Sequence, residues 1–130
     1  MEKFISFFMY LWQLPQNIVG LILRFVYRGN DTAIIKGACE VTVRRSTNMR
    51  GGISLGEYVI LSQWSGENTV NHELGHCMQS QYLGWLYLIV IGLPSIVWAA
   101  LHTSFKYFRA KDYYSFYTEK WADKLGGVVR

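Results

Sequence analysis

Apolar positions along this chain gather in two long runs with a stretch of short β-prone segments between them, and that division predicts its elements. Residues 4–26, FISFFMYLWQLPQNIVGLILRFV, are apolar except where Gln13, Pro15, Gln16 and Asn17 interrupt the run. A proline inside a helical pattern removes a backbone donor and crowds the preceding turn, so two short helices broken near Pro15 are predicted. From Asp31 to Ser62, AIIKGACEVTVRR and GISLGEYVILS flank the turn-like STNMRGG, which predicts a small antiparallel sheet. Ser65 to Asn71 supply capping residues ahead of a helical pattern that runs to about Tyr82, with Gly84 beyond its end. The second apolar run, YLGWLYLIVIGLPSIVWAAL over 82–101, contains no charged side chain. SFYTEKWADKLGG then predicts a closing helix ended by Gly126 and Gly127.

Composition narrows the class. With 130 residues, 51% of them hydrophobic and 17% charged, the chain has room for one core and is too apolar for a disordered linker. The expected fold is a single α+β domain over 1–130: apolar helices over 1–28, a small antiparallel sheet over 31–62, and a helical region over 66–130. A net charge of +4 favours anionic surfaces. Three arginines, Arg44, Arg45 and Arg50, form the densest cationic cluster, which suits lipid headgroups or solvent, and no nucleic-acid partner is expected. Cys39 and Cys77 cannot form a multi-bridge framework, which favours a reducing compartment. The first run has no small-x-small cleavage site, and Phe4, Phe7, Phe8, Tyr10 and Trp12 with Arg24 and Arg28 suit a segment at the headgroup boundary. Membrane association on the cytoplasmic side is therefore expected, with a greasy helix pair packed on the domain of a soluble cytoplasmic protein as the alternative.

The chemistry is concentrated in NHELGHC. His72 and His76 stand four apart on the predicted helix, so both imidazoles share one face and can reach one metal ion. Glu73, one position along from His72, can reach a water on that ion and serve as general base. Two of the chain's three histidines lie in this H-E-x-x-H pattern. Cys77 points to another face. A catalytic zinc needs a third protein ligand and an open position, and His102, Asp112, Glu119 and Asp123 are the candidates. Gln79 and Tyr82 stand where a metzincin needs Gly and His, which excludes that family. Glu119 and Asp123 form E-x-x-x-D, one helical turn apart.

H-E-x-x-H followed by a later E-x-x-x-D resembles the gluzincin branch of the zinc-dependent metallopeptidases. The resemblance implies one zinc ion held by His72, His76 and Glu119, with Asp123 hydrogen-bonded to His72 or His76, and a peptide or protein as substrate. It covers the motif helix and the final helix. The stretch from His72 to Gly127 is also similar to short uncharacterised bacterial proteins with H-E-x-x-H, a likeness that brings no activity with it.

If residues 82–101 crossed a bilayer as one straight helix they would rise about 30 Å and leave His76 and Glu119 on opposite sides. One zinc ion then could not bind both. The chain is therefore expected to turn back at Gly92-Leu93-Pro94, with a helix from Pro94 to about Phe108. His102, Tyr113, Tyr114 and Tyr117 are the candidate donors to a developing oxyanion. The strand before the motif helix is read either as a template for an extended peptide or as a plain core strand. Trp64 and Trp85 bracket the motif helix and are candidate walls of a cleft. The leading expectation is a membrane-associated zinc metallopeptidase. The alternatives are a non-catalytic membrane-associated binding or structural protein that keeps a zinc site, and a zinc hydrolase of non-peptide amides or esters.

Overall fold

Two glycines decide how the β-prone half folds. Gly37 (φ +61°) and Gly56 (φ +67°) each stand first in a two-residue turn, in the left-handed region that L side chains avoid, and so fold each stretch into a tight hairpin. In the computed structural model, which describes residues 2–130, these hairpins are β1 (Gly29–Lys36) with β2 (Cys39–Ser46), and β3 (Gly52–Leu55) with β4 (Tyr58–Ser62). They join through β2 and β4, which run parallel, in the order β1-β2-β4-β3. The sheet is thus mixed where the sequence predicts an antiparallel one. Local turn residues set each hairpin, but the seam between hairpins is a non-local pairing, and passage through β3 supplies the length a parallel connection requires.

Helices cover both faces. Val41 and Val43 of β2 and Val59 and Leu61 of β4 point to one side and meet Leu74 and Cys77 of α3 (Glu67–Leu83), forming the core. On the other side lies α2 (Leu14–Val26), whose Gly20 approaches so closely that a Cβ there would fall 2.8 Å from the Leu55 carbonyl oxygen. Arg44 donates to the carbonyls of Arg24 and Tyr27, and Asp31 pairs with Arg24 at 2.6 Å and Arg44 at 2.7 Å. The bond to Arg44 is the main reason the Asp31 carboxyl is held down at about 2. Arg45 donates to the Ser65 carbonyl, so two of the three clustered arginines brace the fold.

The interruption in the first run does more than break a helix. α1 (Glu2–Trp12) ends at Gln13, and Pro15 falls in the first turn of α2, where its missing N–H is not needed. Gln13, Gln16 and Asn17 are fully buried and dock the pair on the domain. Gln16 donates to Ser80 Oγ and the Gly84 carbonyl, both at 2.8 Å, Ser80 donates to Gln13 at 2.6 Å, and Asn17 Oδ1 accepts from the Glu57 N–H at 2.7 Å.

The second run turns back earlier than expected. α3 ends at Gly84 (φ +55°), against which the Trp12 indole lies so closely that a Cβ would sit 2.3 Å from it. A single 3-10 turn, Gly84–Leu86, follows, and the chain bends by 120°. It then continues through a wide π turn, Leu88–Gly92, straight into α4 (Leu93–Ser104). The bend therefore lies at Gly84–Tyr87 and not at Gly92-Leu93-Pro94, because Pro94 in the first turn of α4 interrupts nothing while Gly84 supplies the left-handed backbone. The helix expected to reach Phe108 stops at Ser104, since Phe105 is extended before the short α5 (Lys106–Arg109). Among the described residues no single helix is long and apolar enough to cross a membrane. The last helix, α6 (Tyr117–Gly126), lies along α3 and ends at Gly127 (φ +71°).

Candidate metal centre

Close approach of α3 and α6 builds the site. Gly75, between the two motif histidines, admits the Ala122 carbonyl so tightly that a Cβ would lie 1.9 Å from its oxygen. Gly126 does the same against the Asn71 carbonyl at 2.0 Å. With the backbones in contact, Glu119 faces the two histidines: its Oε1 lies 3.3 Å from His72 Nε2 and 3.2 Å from His76 Nε2. One ligating atom from each of the three falls within 4.8 Å of the others, and all three side chains are buried, so together they can hold a metal ion.

The atoms facing away from that point fix its chemistry. His72 Nδ1 is 2.6 Å from Asp123 Oδ1, and His76 Nδ1 is 2.6 Å from Gln79 Oε1. The Gln79 amide N–H donates to the Thr118 carbonyl at 2.8 Å, which turns its oxygen toward the ring. Both outer contacts are acceptors, so each Nδ1 carries the proton and each Nε2 offers a lone pair inward. Both inward nitrogens face one carboxylate oxygen, in a pocket where His72 and His76 are only 6% and 5% exposed. A divalent cation placed among them would satisfy all three atoms at once. The electrostatics agree: burial alone would lower the pKa of His76, but the bond to Glu119 and the charges of Glu73 and Glu119 lift it to about 9. Burial would raise Glu119, and the bonds from His72 and His76 hold it far below the usual carboxylate range. Its second oxygen accepts from Thr118 and from Ser95 of α4 at 2.9 Å.

No family model, curated protein or solved structure matches this chain.

Around the triad is a cleft of about 540 Å³, bounded by β3, α3, α4 and the segment before α6. Glu73 stands in it, 7% exposed, with Oε2 held by Ser54 of β3 at 2.8 Å; the same hydroxyl lies 2.7 Å from the Glu73 carbonyl. β3 is an edge strand, so one side of it faces the cleft unpaired with any described strand. His102, Tyr113 and Tyr114 line the opposite wall. The Tyr113 phenol is pushed up by burial, with the charges of Glu119 and Glu73 adding to it. Tyr114 packs edge-on against His72 at 5.4 Å. Tyr117 does not belong to this group: its hydroxyl donates to the Val90 carbonyl at 2.7 Å and it lies outside the cleft, because α6 turns position 117 away when it turns 119 inward. Trp64 and Trp85 are exposed and wall nothing, and Cys77 sits in the core.

Several contributors escape the sequence. Ser54, Ser95, Thr118 and Gln79 carry no motif, although Gln79, three residues after His76 and on its face, is legible by helical spacing alone. Arg130 joins from the far end of the chain. It grips Asp123 at 2.8 and 3.1 Å and covers the Tyr114 ring, its guanidinium carbon 3.3 Å from the ring centroid. Burial would raise the Asp123 carboxyl, but Arg130 and His72 draw it below its ordinary value.

Proposed function

We propose that this protein is a zinc-dependent metallopeptidase working at a membrane surface. The observation that carries the proposal is two imidazole nitrogens and one carboxylate oxygen, on two helices, converging beside a second glutamate in an open cleft. Two nitrogens and one oxygen form a donor set characteristic of catalytic zinc, whereas structural zinc sites favour closed sets rich in cysteine. His72, His76 and Glu119 would hold the ion. Zinc there would lower the pKa of a bound water toward about 7 and polarise a substrate carbonyl.

The chain's own groups supply the rest. Glu73 takes the proton from the attacking water and returns it to the leaving amine, with Ser54 fixing the carboxylate's orientation through Oε2. Ser95 and Thr118 hold the far oxygen of Glu119, and Asp123 and Gln79 set the histidine tautomers. His102, Tyr113 and Tyr114 line the cleft and would be the donors to a developing oxyanion, and the free side of β3 would offer backbone pairing to an extended peptide.

Metal analysis by mass spectrometry with a peptide-library digest tests this. Wild type is expected to carry one zinc per chain and to cleave, and His76→Ala and Glu119→Ala to lose the metal. Glu73→Gln should keep the zinc and lose turnover by at least about a hundredfold. A wild-type protein without stoichiometric zinc removes the enzyme. Zinc without cleavage by wild type favours the non-catalytic alternative.

A further inference from the structure

The N-terminal helices are packed inside out. Their amides Gln13, Gln16 and Asn17 have no exposed surface, while Phe4 and Phe25 are 71% and 79% exposed. Along α2, Ile18, Ile22 and Phe25 recur at helical spacing on the outer side. The same arrangement continues after the bend, where Ile89, Leu93, Ile96, Val97 and Ala100 stay exposed in one stripe without a charge. Two indoles join these surfaces. Trp12 packs on Gly84 and donates to the Gln81 carbonyl at 2.8 Å, and Trp85 donates to the Leu11 carbonyl at 2.8 Å. Exposed apolar surface of this extent, joined at the two indoles, marks a binding surface. α1 also requires a cover, since residues 3–8 are exposed throughout and so short a helix draws its stability from packing.

Charge at the margins identifies the cover. Lys3 and Arg28 border the N-terminal helices, Lys106, Arg109 and Lys111 follow α4, and all are exposed. Two carboxylates near these cations are engaged, Asp31 by Arg24 and Arg44 and Asp112 by the Tyr114 N–H, while Glu40 beside Ile5 is exposed. An apolar centre, indoles beside it and a cationic margin match a leaflet with anionic headgroups. A second copy would bring like-charged margins together.

We propose that this face seats in one leaflet of an anionic bilayer, so that the cleft opens at the membrane surface and acts on polypeptide segments held there. The substrate half of this statement rests on the peptidase reading; the surface half does not. Ile96 links the two, being 59% exposed on the stripe and also part of the cleft wall, next to the Ser95 that bonds Glu119.

Flotation of the full-length protein with vesicles of phosphatidylcholine, with and without about one quarter phosphatidylglycerol, tests the surface. Wild type should float with the anionic vesicles, and Phe7→Ser/Ile22→Ser should lower the bound fraction at least about tenfold. Trp64→Ser, an equally apolar and exposed change at the opposite end of α3, should not. Arg28→Gln/Lys106→Gln should abolish the preference for anionic lipid. Circular dichroism and zinc content confirm that each variant folds. A wild type that stays in the aqueous fraction overturns the proposal, as does a Trp64→Ser variant that fails equally. A dimer in sedimentation that Phe7→Ser/Ile22→Ser dissolves would assign the face to a second copy and overturn it too. A peptide tethered to lipid should be cut at least about tenfold faster than the same peptide free. Equal rates overturn the substrate half, whereas flotation without any cleavage removes the peptidase reading and leaves the membrane face standing.

Discussion

Replacing Gly75 with alanine adds one methyl group at the point where α3 and α6 touch. The new carbon would sit 1.9 Å from the Ala122 carbonyl oxygen, a backbone atom that no rotamer change can move. An ordinary carbon–oxygen contact is about 3.3 Å, so the helices must part by about 1.4 Å or tilt by an equivalent amount. Overpacking of this kind costs about 1–3 kcal/mol, and the better helix propensity of alanine returns about 1 kcal/mol, leaving a net loss of up to about 2 kcal/mol. The metal site suffers more than the fold. Glu119 rides on α6 and the histidines on α3, and metal–ligand distances tolerate only about 0.2 Å. Gly75→Ala is therefore expected to weaken zinc binding at least about tenfold, read by competition with a chromogenic chelator, alongside a urea midpoint lowered by the stability loss. Gly66→Ala is the control, at the N-cap of the same helix with nothing within 4 Å of its new methyl. Unchanged zinc affinity in Gly75→Ala would refute the claim that contact between these helices sets the position of Glu119.

Four further outcomes follow from the structure. Asp123→Asn keeps an acceptor for His72 Nδ1 but loses the charge that favours an electron-rich Nε2, so zinc affinity should fall about tenfold while far-UV circular dichroism stays unchanged. Zinc binding to the metal-free protein must expel the His76 proton, whose pKa is lifted to about 9, so affinity should rise with pH through the neutral range and calorimetry in buffers of different ionisation heat should register proton release. Because that pKa is raised above the ordinary 6.5 of a histidine, the stability His76 gives the metal-free fold is full below about 6.5 and lost as pH rises through about 9; Glu119, depressed from the usual 4.5, works in the opposite sense and loses its contribution in acid. Gln16→Ala leaves Ser80 and the Gly84 carbonyl without a buried donor, and the urea midpoint should report a loss of about 1–3 kcal/mol.

What could be read before folding was local. The four-residue interval between His72 and His76 places both rings on one side of any helix, and the glycines after Leu125 close α6 whatever surrounds it. The break in the first apolar run and the two β-prone stretches are similarly legible, since proline, glycine and alternation act over a few residues. Which surfaces meet is another matter. The polar residues Gln13, Gln16 and Asn17 look like an interruption along the chain, and only packing shows them to be the inward face, because periodicity defines a stripe without saying what covers it. The bend falls at Gly84 because Trp12, distant in sequence, packs there, while Pro94 is absorbed in the first turn of α4. The parallel seam between β2 and β4 has no local signature at all. Tertiary contact alone brings the carboxylate at 119 to the histidines, across 43 residues from His76, through two glycines small enough to let backbones touch. A chain's spacing determines which side chains can point together along one element, and only the packing of elements decides which of them share a single point in space.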